Sequence, residues 1–167
     1  MRTKVYSQLE KLWARHGAQE FGKICQILLG FCLLRLGFKI QIFQLSGRPD
    51  MVAIGGDEKL AIEVKTQSSA EAAIKDDDLE GVKEYLDSSI IAVLSYPDLD
   101  CLWVLAKADE LSPGKWPISF LKQHSIGSLE DQVNEVFPHV LEERLELATL
   151  GTKVLYEKLS EEKDLTR

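Results

Sequence analysis

The stretch Gly47-Arg48-Pro49-Asp50-Met51-Val52-Ala53-Ile54-Gly55-Gly56-Asp57-Glu58-Lys59-Leu60-Ala61-Ile62-Glu63-Val64-Lys65 decides how this chain is read. Two runs of β character flank Gly55-Gly56-Asp57-Glu58, a hairpin signal with glycine first in the turn. With Gly56 and Asp57 as the central turn residues, Gly55 pairs with Glu58, Ile54 with Lys59, and Asp50 falls opposite Glu63. Directly opposed residues of an antiparallel pair share a face, with Cβ atoms about 5 Å apart. Side chains alternate along a strand, so Lys65 joins the face of Glu63, while Met51, Ala53, Leu60, Ile62 and Val64 line the other. The expected product is a hairpin with one apolar side and one side carrying two carboxylates and an amine.

Like charges placed opposite each other destabilise a sheet. Lys65 offsets part of the repulsion between Asp50 and Glu63, and a hard divalent cation with oxygen ligands would offset the rest. A solvated hairpin face with incidental charges is the alternative. Against it stands the joint occurrence, in register, of Pro49-Asp50 and Glu63-Val64-Lys65.

These residues resemble the PD-(D/E)XK phosphodiesterase superfamily, the restriction-endonuclease-like nucleases. Pro49-Asp50 matches the first half of its motif and Glu63-Val64-Lys65 the second, and the resemblance covers about residues 20–97. It implies an α/β fold with a restriction-endonuclease-like core, ordered α-β-β-β-α-β, whose central mixed sheet is flanked by helices. The implied activity is metal-dependent hydrolysis of phosphodiester bonds. Mg²⁺ or Mn²⁺ would be held by Asp50, Glu63 and the Val64 carbonyl, with Lys65 orienting the attacking water or stabilising charge on the phosphate. Many members carry a Glu in the first core helix that reaches the metal. Glu20 occupies that place, although a carboxylate favoured by the helix dipole is its simpler reading. A Gln just past the lysine recurs in parts of the superfamily and is matched by Gln67, which otherwise reads as a solvated strand end. DNA is the implied substrate, with RNA left open.

The order of elements around the hairpin bears on the resemblance. Residues 5–15 read as an amphipathic helix with Val5, Leu9, Leu12 and Trp13 on one stripe, and Gly17 breaks or bends it. A second helix spans about residues 18–36 and stops at Gly37. Its apolar face centres on Phe21, Cys25, Leu28 and Cys32, leaving Lys23, Gln26 and Gly30 on the other side. Residues 38–45 alternate as a strand. A polar stretch follows the hairpin from Ser68 to Lys75. Asp76-Asp77-Asp78 then opens a helix to about Leu86, three acids that complement its dipole; a metal cluster there is the minor alternative. Strands are expected at 90–94 and 101–105, and residues 113–117 read as a break. Ser128 begins a capping-box pattern, and helices continue to about Leu159 with an interruption at Pro138. The expected organisation is one domain over 1–167, with a core at about 18–107 and a helical extension at about 113–162.

At 167 residues the chain can bury a core without staples. Its 45% hydrophobic and 28% charged residues are ordinary for a soluble globular protein. Cys25, Cys32 and Cys101 have no CxxC spacing, which argues against a disulfide framework or zinc and for a reducing, cytoplasmic setting. The run from Ile24 to Phe38 is apolar, but Gln26 and Arg35 interrupt it, so no membrane span is expected.

Net charge is −7, divided as +6 over residues 1–48, −8 over 49–128 and −5 over 129–167. A basic N-terminal third fits one phosphate-facing surface, with Arg48, Lys23, Arg15, Lys11 and Lys4 as candidate contacts without base specificity; a merely uneven surface fits equally. The acidic C-terminal helices are expected to cover the sheet, form a homodimer or dock a protein partner. In that last case the fold would be a non-catalytic binding or assembly module.

Overall fold

A computed structural model describes residues 2–43, 49–67, 69–83, 88–95 and 102–165. Helix α1 (Arg2–Arg35) is interrupted at Gly17, where φ is 81° and ψ 171°. Strands β1 (Lys39–Ile42), β2 (Met51–Gly55) and β3 (Glu58–Gln67) follow, then β4 (Glu71–Ile74), α2 (Asp76–Lys83), β5 (Ser88–Ser95) and β6 (Trp103–Lys107). The chain ends with β7 (Gly114–Pro117), the short α3 (Ile118–Leu121), α4 (Gly127–Leu150) and α5 (Thr152–Leu165). The main sheet has the order β1-β2-β3-β5-β6, antiparallel except for the β3–β5 pair, and helices flank it. This is the mixed α/β architecture expected from the sequence.

The central strands are buried on both faces, which is why β5 reads as an unbroken apolar run from Ile90 to Leu94. On one face, Met51, Leu60, Ile62, Ile90 and Leu94 pack with α1, α4 and α5. On the other, Ala61, Ile91, Val93 and Val104 pack with Leu79 and Val82 of α2 and with Leu121 of α3. The second half of α1 lies between the sheet and the C-terminal helices. Ile24 to Leu33 is therefore buried nearly all round, Gly30 included, and Gln26 alone in that run is half-buried. Burial accounts for the apolar run there; among the described residues no helix is long and apolar enough to cross a membrane.

Several expected boundaries differ. The first strand is shorter than 38–45: Phe38 lies outside β1, residues 44 and 45 lie outside the described residues, and the Phe38 ring covers Gly55, where an added Cβ would sit 2.7 Å from it. Within the expected polar stretch 68–75 and the break at 113–117, β4 and β7 pair as strands. Ala72 and Ile74 alternate with exposed Glu71 and Ala73, and Ile74 stands opposite Gly114. Small residues and a proline-rich surround hid that period of two. This strand β4 interrupts the expected α-β-β-β-α-β order before α2. The second helix is described to Lys83 only, and β6 begins at Trp103, with Cys101 outside the described residues.

Pro138 does not interrupt the C-terminal helices; α4 runs through it. A proline inside a helix costs about 3 kcal/mol. Val133, Phe137, Val140 and Leu141 are buried in the same stretch, and each such side chain contributes roughly 1.5–3 kcal/mol. The chain breaks instead at Gly151, whose φ of 121° a side chain would resist. The capping box at Ser128 also fails to form. α4 starts at Gly127 without a side-chain cap, and the Glu130 carboxylate accepts the Leu105 N–H of β6 at 2.9 Å. Asn134 brackets Trp103 in the same way, accepting its N–H at 2.8 Å and donating to its carbonyl at 2.9 Å. Side chains of α4 thus occupy the outer edge of β6, where a further strand would otherwise pair.

Candidate active site

The hairpin has the expected register: Gly55 opposite Glu58, Ile54 opposite Lys59, and so on to Met51 opposite Ile62. Gly56 takes φ 58° in the turn, a left-handed value that glycine adopts without strain. One step beyond the last paired residues, Asp50 and Glu63 come together. The Asp50 Oδ2 accepts the Val64 N–H at 2.8 Å, so the side chain continues the ladder that β2 leaves unfinished. The Asp50 carbonyl is held by the Phe43 N–H at 3.0 Å and by Gln26 Nε2 of α1 at 3.2 Å. Strand geometry points the N–H and C=O of a residue to the same side. The Val64 carbonyl therefore faces the Asp50 side of β3, past the end of β2.

Asp50 and Glu63 are half-buried, and α2 brings a third acid to them. The charges of Asp50 and Asp78 both act on the Glu63 carboxyl. Burial first, and then these two charges, push the Glu63 carboxyl up to about 8 against the pull of Lys65. Burial likewise raises Asp50, against the pull of the Val64 N–H and Lys65. Lys65 does not bridge the two hairpin acids. Its Nζ pairs with Asp78 Oδ2 at 2.7 Å, with side-chain exposures of only 19% and 10%. The same Oδ2 accepts the Lys75 N–H at 2.8 Å, the reach-back of a third helical residue to the backbone before its helix.

Two crowded carboxyls, with Glu63 pushed up to about 8, are a donor set that a hard cation would relieve. Asp50 and Glu63, with the Val64 carbonyl, are the groups that could hold one. Asp78 is occupied by Lys65 and Lys75, and among the described residues no group of three or more His, Cys, Asp or Glu side chains is arranged to hold a metal ion. Such a site would be completed by water, as Mg²⁺ prefers.

The other residues singled out from sequence are dispersed. Glu20 is turned to the C-terminal helices, where its Oε1 accepts the Thr152 N–H at the start of α5 at 3.1 Å. It caps a helix instead of reaching Asp50 and Glu63, since the first orphan N–H groups of α5 need an acceptor. Gln67 ends β3 half-buried, on the face of Glu63 and Lys65. Lys4 pairs with Glu142 at 2.5 Å, Arg35 with Glu143, and Arg15 Nε donates to the Thr149 carbonyl at 2.8 Å. Part of the positive charge of the N-terminal third thus answers acids of α4, through Lys4 and Arg35. Lys11 and Lys23 are exposed, and Arg48 lies outside the described residues. Asp78 was hidden in the Asp76-Asp77-Asp78 run; the signal that singles it out is its place as third helical residue, from which a carboxylate reaches back to the preceding N–H.

No family model and no curated protein matches the chain. Among solved structures it is similar to Hjc from Archaeoglobus fulgidus, described as a Holliday junction resolvase from an archaeal hyperthermophile. The likeness covers 59% of this chain and 86% of that one, at a TM-score of 0.49 and 20% identity.

Proposed function

We propose that this protein is a metal-dependent nuclease of the PD-(D/E)XK type, hydrolysing phosphodiester bonds in DNA. The observation that carries the reading is the meeting of Asp50 and Glu63 one step past the β2–β3 ladder, with Lys65 on their face. Asp50, Glu63 and the Val64 carbonyl would hold Mg²⁺ or Mn²⁺. When bound, such an ion supplies a Lewis acid for a phosphate oxygen and an acidified water. Lys65 supplies the ammonium that stabilises charge developing on the phosphate. The Val64 N–H and Gln26 hold Asp50 in place, so the carboxylate is set before substrate arrives.

The experiment is cleavage of plasmid, single-stranded and branched DNA with Mg²⁺ or Mn²⁺, with EDTA as the blank, by wild type, Asp50→Asn and Lys65→Ala. Metal-dependent nicking that both substitutions abolish is expected. Equal nicking by the variants would identify a contaminant and end the reading.

A second reading, a binding or assembly module on the same fold, draws support from the engagement of Lys4, Arg15 and Arg35 by α4. Tight independent DNA binding rests on cations facing phosphate. A protein that cleaves none of the substrates yet forms a stable complex with another protein would favour that module.

A further inference from the structure

Resting on the nuclease reading, we propose that Asp78 is the positioning residue for Lys65: it holds the ammonium on the carboxylate face and ties its place to the first turn of α2. A lysine carries a flexible four-carbon stem, and its rotamer entropy opposes its being held in one place. Three carboxyls stand near Lys65, and the one it pairs with is Asp78, at 2.7 Å. Asp78 cannot swing with it, because the Lys75 backbone N–H fixes the same oxygen at 2.8 Å. Leu79 and Val82, buried against Ala61 of β3 and Ile91 of β5, in turn fix α2 on the sheet.

The acidity of the helix start does not explain this placement. Asp76 and Asp77 serve the helix dipole equally well and are exposed, whereas Asp78 is buried at 8%. Drawing the ammonium toward α2 keeps it from sitting between Asp50 and Glu63. The two hairpin carboxylates then remain free to share a cation, with a positive group beside them and not among them. Asp78 thereby separates two positive charges that would otherwise compete for one pair of acids.

Asp78→Asn is the informative substitution, because an amide oxygen still accepts the Lys75 N–H while the charge is gone; Asp77→Asn is the exposed control. Two readouts are taken on the full chain. Competitive acetylation with acetic anhydride, read by peptide mass spectrometry, reports how freely Lys65 moves without metal. Single-turnover cleavage, set against DNA affinity measured in Ca²⁺, separates chemistry from binding. In Asp78→Asn we expect Lys65 to acetylate several-fold faster and the cleavage rate to fall about 10–100-fold while affinity holds within about twofold. Asp77→Asn should match wild type in both. Unchanged acetylation of Lys65 in Asp78→Asn overturns the proposal, and so does an unchanged cleavage rate. If wild type cleaves nothing while acetylation still rises in Asp78→Asn, the nuclease reading falls and the holding of Lys65 by Asp78 stands.

Discussion

At the scale of single residues, Glu63 carries the tension of the site. Its carboxyl titrates at about 8 in the folded protein, against an ordinary value near 4.5. Below the lower value both states hold the proton and nothing is lost. As pH rises, the unfolded chain ionises first and the folded state loses stability, until the loss is complete above about 8. Glu63→Gln removes that dependence. We expect thermal melts in EDTA to show the variant more stable than wild type at pH 8 and equal to it near pH 4; a wild type as stable as Glu63→Gln at pH 8 would contradict this. Asp50 adds a contrast. Asp50→Asn keeps an acceptor for the Val64 N–H and removes charge, so it should stabilise the metal-free protein, whereas Asp50→Ala leaves that N–H unpaired at a cost of about 1–3 kcal/mol. Urea titrations of the two variants measure the difference. The pairing of Asp50 with Glu63 was legible in the sequence, because a two-residue turn and a period of two fix which side chains meet. Asp78 was legible only as the third helical residue that reaches back to the Lys75 N–H; that it also meets Lys65 depends on how α2 docks.

At the scale of elements, the C-terminal helices close what the strands leave open. The outer edge of β6 is matched by Asn134 and Glu130 with the hydrogen bonds that a further strand would make. Asn134→Leu keeps the bulk and leaves the N–H and carbonyl of Trp103 unpaired. We expect a loss of about 1–3 kcal/mol for each group in urea unfolding and a greater tendency to aggregate; an unchanged midpoint would show that the edge needs no cover. At the α4–α5 joint, Gly151→Ala should cost about 1–2 kcal/mol through its positive φ. The helices themselves were readable from their periodicity. Their joint was not, because Pro138 is the stronger sequence signal for a break and only the burial of Phe137 and its neighbours overrides it. The β4–β7 ribbon escaped for the opposite reason: Ala72, Ala73 and Gly114 carry little hydrophobic pattern to read.

At the scale of the whole molecule, the two faces of the sheet have different contents. One is filled by α1, α4 and α5. The other holds a smaller core under α2 and α3, and the carboxylates stand on that face, where β3, still paired with β5, runs on past the end of β2. The charge pattern of the sequence resolves along the same line, since cations of α1 answer acids of α4 on the first face. The central claim is that Asp50 and Glu63 take up a divalent ion together. Calorimetric titration of Mn²⁺ at pH 7, repeated in buffers of different ionisation enthalpy, tests it most directly. If Glu63 is protonated beforehand, wild type should release about one proton for each ion bound. Glu63→Gln should release almost none and bind more weakly, and Asp50→Asn should bind more weakly as well. Equal binding by all three proteins, or none by wild type at millimolar Mn²⁺, would contradict the account.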